Sequence, residues 1–378
     1  MHEGEKDLKR VFFIIPALHG GGAERVLLSI LRYIDRSKFK PNLVLFVKKG
    51  ELLSEIPPDI ELVVLNSRWL ILIKLAKLLR EEKPDAVVSF MWYANLMSLL
   101  AGLLGRIKKG FIVCERYGLE NSEEGQLAEF MRRLAIRFFY PGASLVLINS
   151  KAMGQQMESI SRIPSDKLSV IYNPIDIERV KELSEEHADI EEENVPLIIA
   201  IGRLTSQKGF DILLKAFKIV HSDGIKSRLI ILGKGEEEGR LKKLASELGI
   251  VDSVSLSGFV QNPYKYLVRS DLFVLSSLYE GFPNVLLEAL ALGVPSIATR
   301  CPTGPEEIIT DGINGILVPP ADEKALAEAI KRLLTDEDLR KRLGEAGKKR
   351  AEDFRVEKII KEYEVVIENV CAQSGEGA

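Results

Sequence analysis

Two glutamates, Glu280 and Glu288, bracket the stretch Glu-Gly-Phe-Pro-Asn-Val-Leu-Leu-Glu. The apolar run Leu272 to Leu275 before them reads as a buried strand. Pro283 to Leu292 reads as a helix, because proline suits a first helical turn, where its missing N–H has no intrahelical partner to lose. On one continuous helix, residues eight apart would be rotated about 80° from each other. With Glu280 on the loop and Glu288 on the helix, both carboxylates can face one cleft. Between them, the backbone N–H groups of Asn284 and Val285 open the helix, and a helix N-terminus attracts phosphate. The pattern predicts a phosphate flanked by two carboxylates that take hydroxyls, such as those of ribose and of a sugar. Glutamates at this spacing also arise by chance in a chain with 28% charged residues. The strand before them, the Gly-Phe-Pro turn and the small-residue helix ending in Gly293-Val294-Pro295 single this pair out.

Two cations stand where such a phosphate would need them. Leu197 to Ile201 reads as a strand, Gly202-Arg203-Leu204 as the turn after it, and Lys208-Gly209 as the opening of the next helix. Arg203 and Lys208 can neutralise a departing diphosphate, the electrostatic stabilisation that usually dominates such catalysis. With both present, neither a metal nor a cofactor is expected, and a nucleotide-bearing molecule would be a co-substrate. Taken singly, each is as ordinary as any surface arginine or helix-opening lysine.

Glycine turns recur at other strand ends, where open α/β sheets bind ligands. Arg228 to Leu232 runs into Gly233-Lys234-Gly235, and Ser253 to Leu256 into Gly258-Phe259-Val260. Near the start, the apolar run Val11 to Ala17 meets His19-Gly20-Gly21-Gly22 and then the helix Val26 to Tyr33. The spacing is not G-x-G-x-x-G, so a dinucleotide is not indicated. Gly21 and Gly22 either let a backbone approach a ligand closely or simply make a tight turn. His19, one of four histidines, is a candidate for the cleft or a plain surface residue.

The elements that would position these residues alternate. Leu43 to Val47, Ile60 to Leu65, Ala86 to Phe90, Phe111 to Glu115, Leu145 to Ile148, Ser169 to Tyr172 and Ser296 to Thr299 read as strands. Leu70 to Arg80, Trp92 to Leu104, Gln126 to Tyr140 and Val356 to Val370 read as helices. Continuous apolar strands alternating with helices predict parallel sheets covered on both faces. The 378 residues suffice for two ordinary domains. The expected class is α/β, with two Rossmann-like, doubly wound parallel-sheet domains facing a cleft. The first spans 1–173 and the second 196–355. An acidic linker over 174–195, with Glu185, Glu186 and Glu191 to Glu193, joins them. A C-terminal helix over 356–378 is free to cross back to the first domain.

Apolar content of 46% is that of a soluble globular protein. Cys114, Cys301 and Cys371 are scattered, with neither a disulfide framework nor metal-ligand spacing, which fits a reducing cytosol. Met1 to Arg10 is too charged for a signal peptide. The uncharged stretch Ala86 to Gly105 has the length of a membrane span. It reads better as a strand and its following helix, interrupted by Asn95 and Ser98.

Charge is unevenly spread. Residues 1–173 carry 25 Lys+Arg against 19 Asp+Glu, and the remainder 27 against 36. A basic first half suits an anionic partner or membrane surface, although uneven surface decoration would look the same. Trp69 to Ile73 leads into Lys74, Lys77 and Arg80. Phe130 to Phe139 carries Arg132, Arg133 and Arg137, and Arg106, Lys108 and Lys109 add further charge. A basic edge on an apolar helix suits a lipid interface. Peripheral contact with an anionic membrane through Lys74, Lys77, Arg132, Arg133 and Arg137 is therefore expected, with no nucleic-acid partner.

Four motifs, in this order and covering nearly the whole chain, resemble glycosyltransferase family 4. Gly21-Gly22-Ala23-Glu24-Arg25 resembles its first glycine loop, and Gly202-Arg203-Leu204 with Lys208-Gly209 its diphosphate-binding pair. Gly258-Phe259-Val260 resembles the turn whose backbone meets the base, and Glu280 to Glu288 the twin-glutamate signature. The resemblance implies a GT-B fold and a retaining glycosyltransferase. Such an enzyme moves a hexosyl or N-acetylhexosaminyl group from a nucleoside-diphosphate sugar, a UDP-sugar foremost, to a saccharide or lipid-diphosphate-linked acceptor. It also implies Glu280 at the donor sugar, Glu288 at the ribose, and Gly233, Gly281, Phe282, Asn284 and Val285 along the donor. Relatives with the Gly-Gly-Ala-Glu-Arg opening often build surface polysaccharides or lipid-linked glycans, which implies a cytoplasmic enzyme at the inner face of the membrane.

One departure concerns the acceptor side, where His19, Glu115 and Arg116 are the candidates. Many members place a histidine after the fifth strand, and Cys114-Glu115-Arg116 stands there instead. Arginine stays protonated and cannot act as a base. Glu115 is left to orient an acceptor hydroxyl. No obvious nucleophile is placed, which favours same-face displacement over double displacement. A GT-B epimerase would need acid–base groups that four histidines scarcely supply. A binding protein without chemistry would have no need of Arg203, Lys208, Glu280 and Glu288 together.

Overall fold

The structure is a computed structural model that describes residues 8–67, 70–107, 109–116, 126–190 and 195–375. The expectations for Trp69, Lys108 and Glu191 to Glu193 lie outside the described residues. The chain divides into two compact units, residues 1–174 with 356–378, and residues 175–355.

In chain order the first unit runs β1 (Lys9–Ile15), α1 (Gly22–Tyr33), β2 (Phe39–Leu45), β3 (Glu61–Val64), α2 (Ile71–Glu82), β4 (Ala86–Phe90), α3 (Trp92–Gly105), β5 (Phe111–Glu115), α4 (Gln126–Phe138), β6 (Leu145–Ile148), α5 (Lys151–Ile160) and β7 (Leu168–Val170). The second runs α6 (Ile177–Ser184), β8 (Leu197–Ile201), α7 (Phe210–Ser222), β9 (Arg228–Leu232), α8 (Glu238–Glu247), β10 (Val254–Gly258), α9 (Tyr264–Leu267), β11 (Leu272–Leu275), α10 (Asn284–Ala291), β12 (Ser296–Thr299), α11 (Pro305–Ile308), β13 (Ile316–Val318), α12 (Glu323–Thr335) and α13 (Glu337–Ala351). The chain then returns to the first unit as α14 (Val356–Gly375).

Both sheets are parallel throughout, in the orders β3-β2-β1-β4-β5-β6-β7 and β10-β9-β8-β11-β12-β13. The apolar strands explain this. Val11, Phe13 and Ile15 of β1 enter one core with α1 and α14, while Phe12 and Ile14 enter another with α2, α3 and α4. A strand apolar on both faces needs cover on both, and right-handed βαβ crossovers supply it. Ile359, Ile360, Tyr363 and Ile367 of α14 are buried in the first of these cores, which ties the end of the chain to its beginning. In the second unit one large core joins β8, β9, β11, β12 and β13 to α7, α8 and α12. Each sheet reverses its order once, between β1 and β4 and between β8 and β11. At such a switch point the loops diverge and leave a crevice at the carboxyl ends of the strands.

The structure corrects several expectations. The acidic stretch after Asp176 is not all linker. The Asp176 carboxylate accepts from Arg179 N at 3.1 Å and caps α6, which buries Ile177 and Val180. Its charges hid a short amphipathic face. Arg132 does not face outward. Arg132 Nη2 donates to Glu115 Oε1 at 3.0 Å, with both residues buried, 3% and 1% exposed. Tyr140 Oη donates to Glu115 Oε2 at 2.9 Å, and Asn95 Nδ2 to Tyr140 Oη at 3.0 Å. A carboxylate inside a core needs such partners. Burial, and next to it this carboxylate, hold the Tyr140 hydroxyl well above its ordinary pKa. Neither membrane contact by Arg132 nor acceptor orientation by Glu115 survives this arrangement.

The remaining basic residues are partly engaged. Lys74 Nζ donates to Leu65 O at 2.7 Å, Lys77 pairs with Glu81 at 3.8 Å, and Arg133 pairs with Glu129 at 2.7 Å. Arg137 is exposed. Among the described residues no helix is long and apolar enough to cross a membrane, and the uncharged stretch is β4 followed by α3.

Arg132→Gln should lower stability by about 3–5 kcal/mol, because it leaves a buried carboxylate without its cation. Arg133→Gln, in an exposed pair, should cost less than about 1 kcal/mol. Urea denaturation of the two variants measures the difference, and equal losses would contradict the burial of the Arg132–Glu115 pair.

Candidate active site

The switch point of the second sheet gathers most of the candidate residues. Arg203 lies two residues beyond β8, and a single 3-10 turn, Ser206–Lys208, then places Lys208. Gly209 ends this turn at φ +58°, and a Cβ there would lie 2.3 Å from Ser276 O, so only glycine allows the approach. That approach presses the β8 loop onto the β11 loop. Ser276 Oγ donates to Lys208 O at 2.8 Å, and Leu278 N to Gln207 O at 2.8 Å.

Across this seam Lys208 Nζ donates to Glu280 Oε1 at 2.5 Å, a charge-assisted bond. Ser277 Oγ donates to the same oxygen at 2.7 Å. Gln207 is buried and ties two parts of the site together. Its Nε2 donates to Tyr279 O at 2.8 Å, and its Oε1 accepts from Arg203 Nη2 at 3.3 Å. One carboxamide thus joins Arg203 to the backbone immediately before Glu280.

The loop after β12 closes the far side. Thr299 Oγ1 donates to Ser277 O, and Thr303 Oγ1 to Glu280 O. Thr303 sits at φ +64°, a region that β-branched residues rarely adopt and that marks functional loops when the surroundings enforce it. Cys301 is buried beside this network. Burial first, and the Glu280 carboxylate next, push its thiol up to about 12.

Glu288 lies within α10, buried, and accepts from Tyr264 Oη at 3.1 Å. Asn284 and Val285 form the first turn of α10 and are half-buried. Gly281 is buried in the turn before it. Phe282, expected along the donor, is buried with its ring 5.5 Å from that of Phe354, where it anchors the turn. Gly233 has φ +155°, and a Cβ there would lie 1.7 Å from Gly202 O, so the β9 loop rests directly on the Arg203 turn. Gly233 N in turn donates to Gly258 O at 2.8 Å. The next residue, Phe259, is exposed, with Lys234 Nζ 5.8 Å from its ring centre, and Val260 is half-buried.

In the first unit, His19, Gly21 and Gly22 follow β1 at its own switch point. The His19 imidazole is exposed, 3.9 Å from Glu51. A Cβ on Gly21 would lie 2.5 Å from the Glu24 carboxylate. Arg116, expected on the acceptor side, is buried. Its Nη1 donates to Asn173 Oδ1 at 2.5 Å and its Nη2 to Tyr363 Oη, and the guanidinium lies 5.3 Å from the Phe90 ring centre. It clamps α14 to the sheet.

Sequence reasoning missed Gln207, Ser277, Thr299, Thr303 and Tyr264. The adjacent pairs Ser276-Ser277 after an apolar strand and Thr303-Gly304 before a proline were the available signals. An Asp-x-Asp spacing, a common metal carrier, occurs at Asp336-Glu337-Asp338. It opens α13, where Asp336 caps the helix by accepting from Leu339 N at 2.8 Å.

Two doubly wound parallel-sheet units, one with cations and carboxylates gathered at its switch point, define a GT-B protein. Residues 183–350 match the model described as glycosyl transferases group 1, and residues 20–179 the model described as glycosyltransferase family 4. An uncharacterized glycosyltransferase of Methanocaldococcus jannaschii is 35% identical over 334 residues, covering 78% of this chain and 82% of that one. The N-acetylgalactosamine-N,N'-diacetylbacillosaminyl-diphospho-undecaprenol 4-alpha-N-acetylgalactosaminyltransferase of Campylobacter jejuni is 29% identical, covering 94% of this chain and 98% of that one. Among solved structures, Anabaena Alr3699/HepE in complex with UDP and glucose matches with a TM-score of 0.81 at 22% identity, covering 96% of this chain and 100% of that one, a likeness of fold. The chain belongs to glycosyltransferase family 4 and is a glycosyltransferase with the GT-B fold.

Gln207→Ala removes both bonds of a buried carboxamide. It should cost about 1–3 kcal/mol of stability, the usual result of leaving buried partners unsatisfied. Ser206, exposed on the same turn, is the control, and Ser206→Ala should change stability by less than about 0.5 kcal/mol. Chemical denaturation of both variants is the measurement. A neutral Gln207→Ala would mean that the two loops are held without it.

Proposed function

We propose that this glycosyltransferase transfers a sugar, with retention, from a nucleoside-diphosphate sugar, a UDP-sugar foremost, to a saccharide or lipid-diphosphate-linked acceptor. The carrying observation is the Lys208–Glu280 pair at the β8/β11 switch point, with Arg203 tied beside it through Gln207. On this reading the second unit takes the donor and the first the acceptor. The diphosphate sits against Arg203, Lys208 and the start of α10, where the helix dipole adds positive potential. Glu280 keeps its Oε2 for a hydroxyl of the donor sugar, while Glu288 and Tyr264 take the ribose. The base lies along Gly258, Phe259 and Val260.

The reaction breaks the bond between the anomeric carbon and the diphosphate oxygen. The acceptor hydroxyl oxygen forms the new bond on the same face, and its proton passes to the departing diphosphate. Arg203 and Lys208 stabilise the charge that grows on that diphosphate, so no metal is required. The acceptor class is supported by the Campylobacter relative, whose name specifies a diphospho-undecaprenol acceptor. A lipid-borne acceptor places the enzyme peripherally at the inner face of a membrane. Nucleic acid has no part in this reading.

Product analysis with a labelled nucleotide sugar and a lipid-diphosphate-linked acceptor is the direct test. Arg203→Ala or Lys208→Ala should lower turnover on the order of a hundredfold, with the fold intact and with wild-type activity unaffected by a chelator. Glu288→Gln should weaken binding of the free nucleoside diphosphate, whereas Glu280→Gln should weaken the sugar-bearing donor more, both measured by calorimetry. A folded Arg203→Ala/Lys208→Ala double variant with wild-type turnover would sink the assignment. An isomerised donor would make the protein an epimerase.

A further inference from the structure

Helices α2, α3 and α4 cover one face of the first sheet, burying Leu75, Leu99 and Ile136 in its core. α3 packs beside both α2 and α4. On the outward side, α2 exposes Lys74, Lys77, Arg80 and Glu81, but α4 and the end of α3 are also apolar there. On α4, Leu127, Phe130, Met131 and Phe138 are exposed by 75, 57, 44 and 61%. At about 100° per residue they fall in one stripe about 100° wide. The buried stripe with Ala135 and Ile136 lies on a separate side of the helix, and exposed Arg133 and Arg137 border the apolar one. Leu103 and Leu104 end α3, also exposed, and exposed Arg106 and Lys109 follow them. α4 already buries one apolar face, so the second is not needed for the fold. A surface patch of this kind, rimmed by polar residues, marks an interaction site.

We infer that this layer rests on an anionic lipid bilayer and inserts Leu103, Leu104, Leu127, Phe130, Met131 and Phe138 between its headgroups. Charge decides the occupant. Arg106, Arg133 and Arg137 border the apolar side chains, as on helices that lie in a lipid interface, while Lys109 donates to Gln373 O of α14 at 3.0 Å. A second copy docked two-fold would set this same basic rim against itself. The inference rests on the reading that the acceptor is lipid-borne, and it changes the expected physics. With Arg132 buried and Lys77 and Arg133 in ion pairs, charge attracts the protein but apolar insertion holds it. Attraction fades as the Debye length falls to about 3 Å at 1 M salt, and insertion does not.

The test is flotation of the full chain with vesicles of mixed anionic and zwitterionic phospholipid, without donor or acceptor, at low and high salt. The protein should float at low salt and remain largely bound at high salt. Phe130→Ser with Phe138→Ser should lower the partition coefficient on the order of tenfold or more, since each buried phenylalanine is worth at least about that factor. Both side chains are exposed, so thermal unfolding should not change. Failure of the wild type to float overturns the inference. So does full release at high salt, or vesicle binding by the double variant equal to wild type. A dimer detected by light scattering and abolished in the double variant would give the face to a second copy and overturn it as well. Transfer to a short, water-soluble acceptor is measured separately. Transfer without vesicle binding sinks this inference alone, and vesicle binding without transfer sinks the proposed function alone.

Discussion

A lysine and a glutamate from different loops cannot be held 2.5 Å apart unless the loops themselves are locked. Here the lock is backbone against backbone. Gly209 lets the turn that bears Lys208 touch Ser276, and Gly233 lets the next loop touch Gly202. Each of these approaches would be blocked by a single Cβ. Gln207, Ser277 and Thr303 then fix the remaining freedom with bonds to Tyr279 O, Glu280 Oε1 and Glu280 O. The ion pair is therefore preorganised by groups that carry no charge. Such an arrangement needs little reorganisation when charge develops on a ligand.

The parallel sheet supplies the place for this lock. Strands apolar on both faces demand helices on both sides, and the order β10-β9-β8-β11-β12-β13 must reverse somewhere to provide them. At the reversal the β8 and β11 loops lie against each other, so Lys208 from one meets Glu280 from the other, with Arg203 tied in through Gln207. The first unit has the same reversal between β1 and β4, with His19 and the glycine loop at its mouth. Met91, just past β4, lies at φ +76° and ψ +141°, a conformation rare for any residue with a side chain. Strain thus accompanies the switch point in the first unit as Thr303 brings it to the site in the second.

Much of this was legible in the chain. Ala86–Phe90, Leu197–Ile201 and Leu272–Leu275 are strands at the residues read from their apolar runs, and Asp85, Gly202 and Asp271 mark one end of each sharply. β2 begins earlier than its apolar core suggests, at Phe39, since pairing with β1 does not require apolar side chains at Lys40 and Asn42. α4 stops at Phe138, short of Tyr140, where Tyr140–Gly142 tightens into a 3-10 turn around Pro141. Residue type singled out Arg203, Lys208, Glu280 and Glu288 as candidates, and the structure brings Lys208 to Glu280 with Arg203 beside them. It could not announce Gln207 or Thr303, whose parts depend on loop geometry and not on their own chemistry. Nor could it tell Arg132 from Arg133, because a one-residue step on a helix is a 100° turn, and only packing decides which guanidinium goes inside.

The fate of the three acceptor-side candidates bears on where the proton goes. Glu115 has both oxygens engaged, by Arg132 and Tyr140, in a dry core. Arg116 is clamped to Asn173 and Tyr363, with a guanidinium that offers donors and no acceptor. His19 is exposed on its loop, with a carboxylate 3.9 Å away. None of these is a carboxylate or imidazole held ready in a desolvated site, which is how proteins raise a base toward neutral pH. On the proposed reading the departing diphosphate is then the acceptor hydroxyl's base, since it gains negative charge as the glycosyl bond lengthens. On the same reading Arg203 and Lys208 balance two demands. They have to stabilise that charge enough for departure, yet leave the bridging oxygen basic enough to take the proton. A lysine already shared with Glu280 meets the second demand better than an unpaired one, because the carboxylate offsets part of its field.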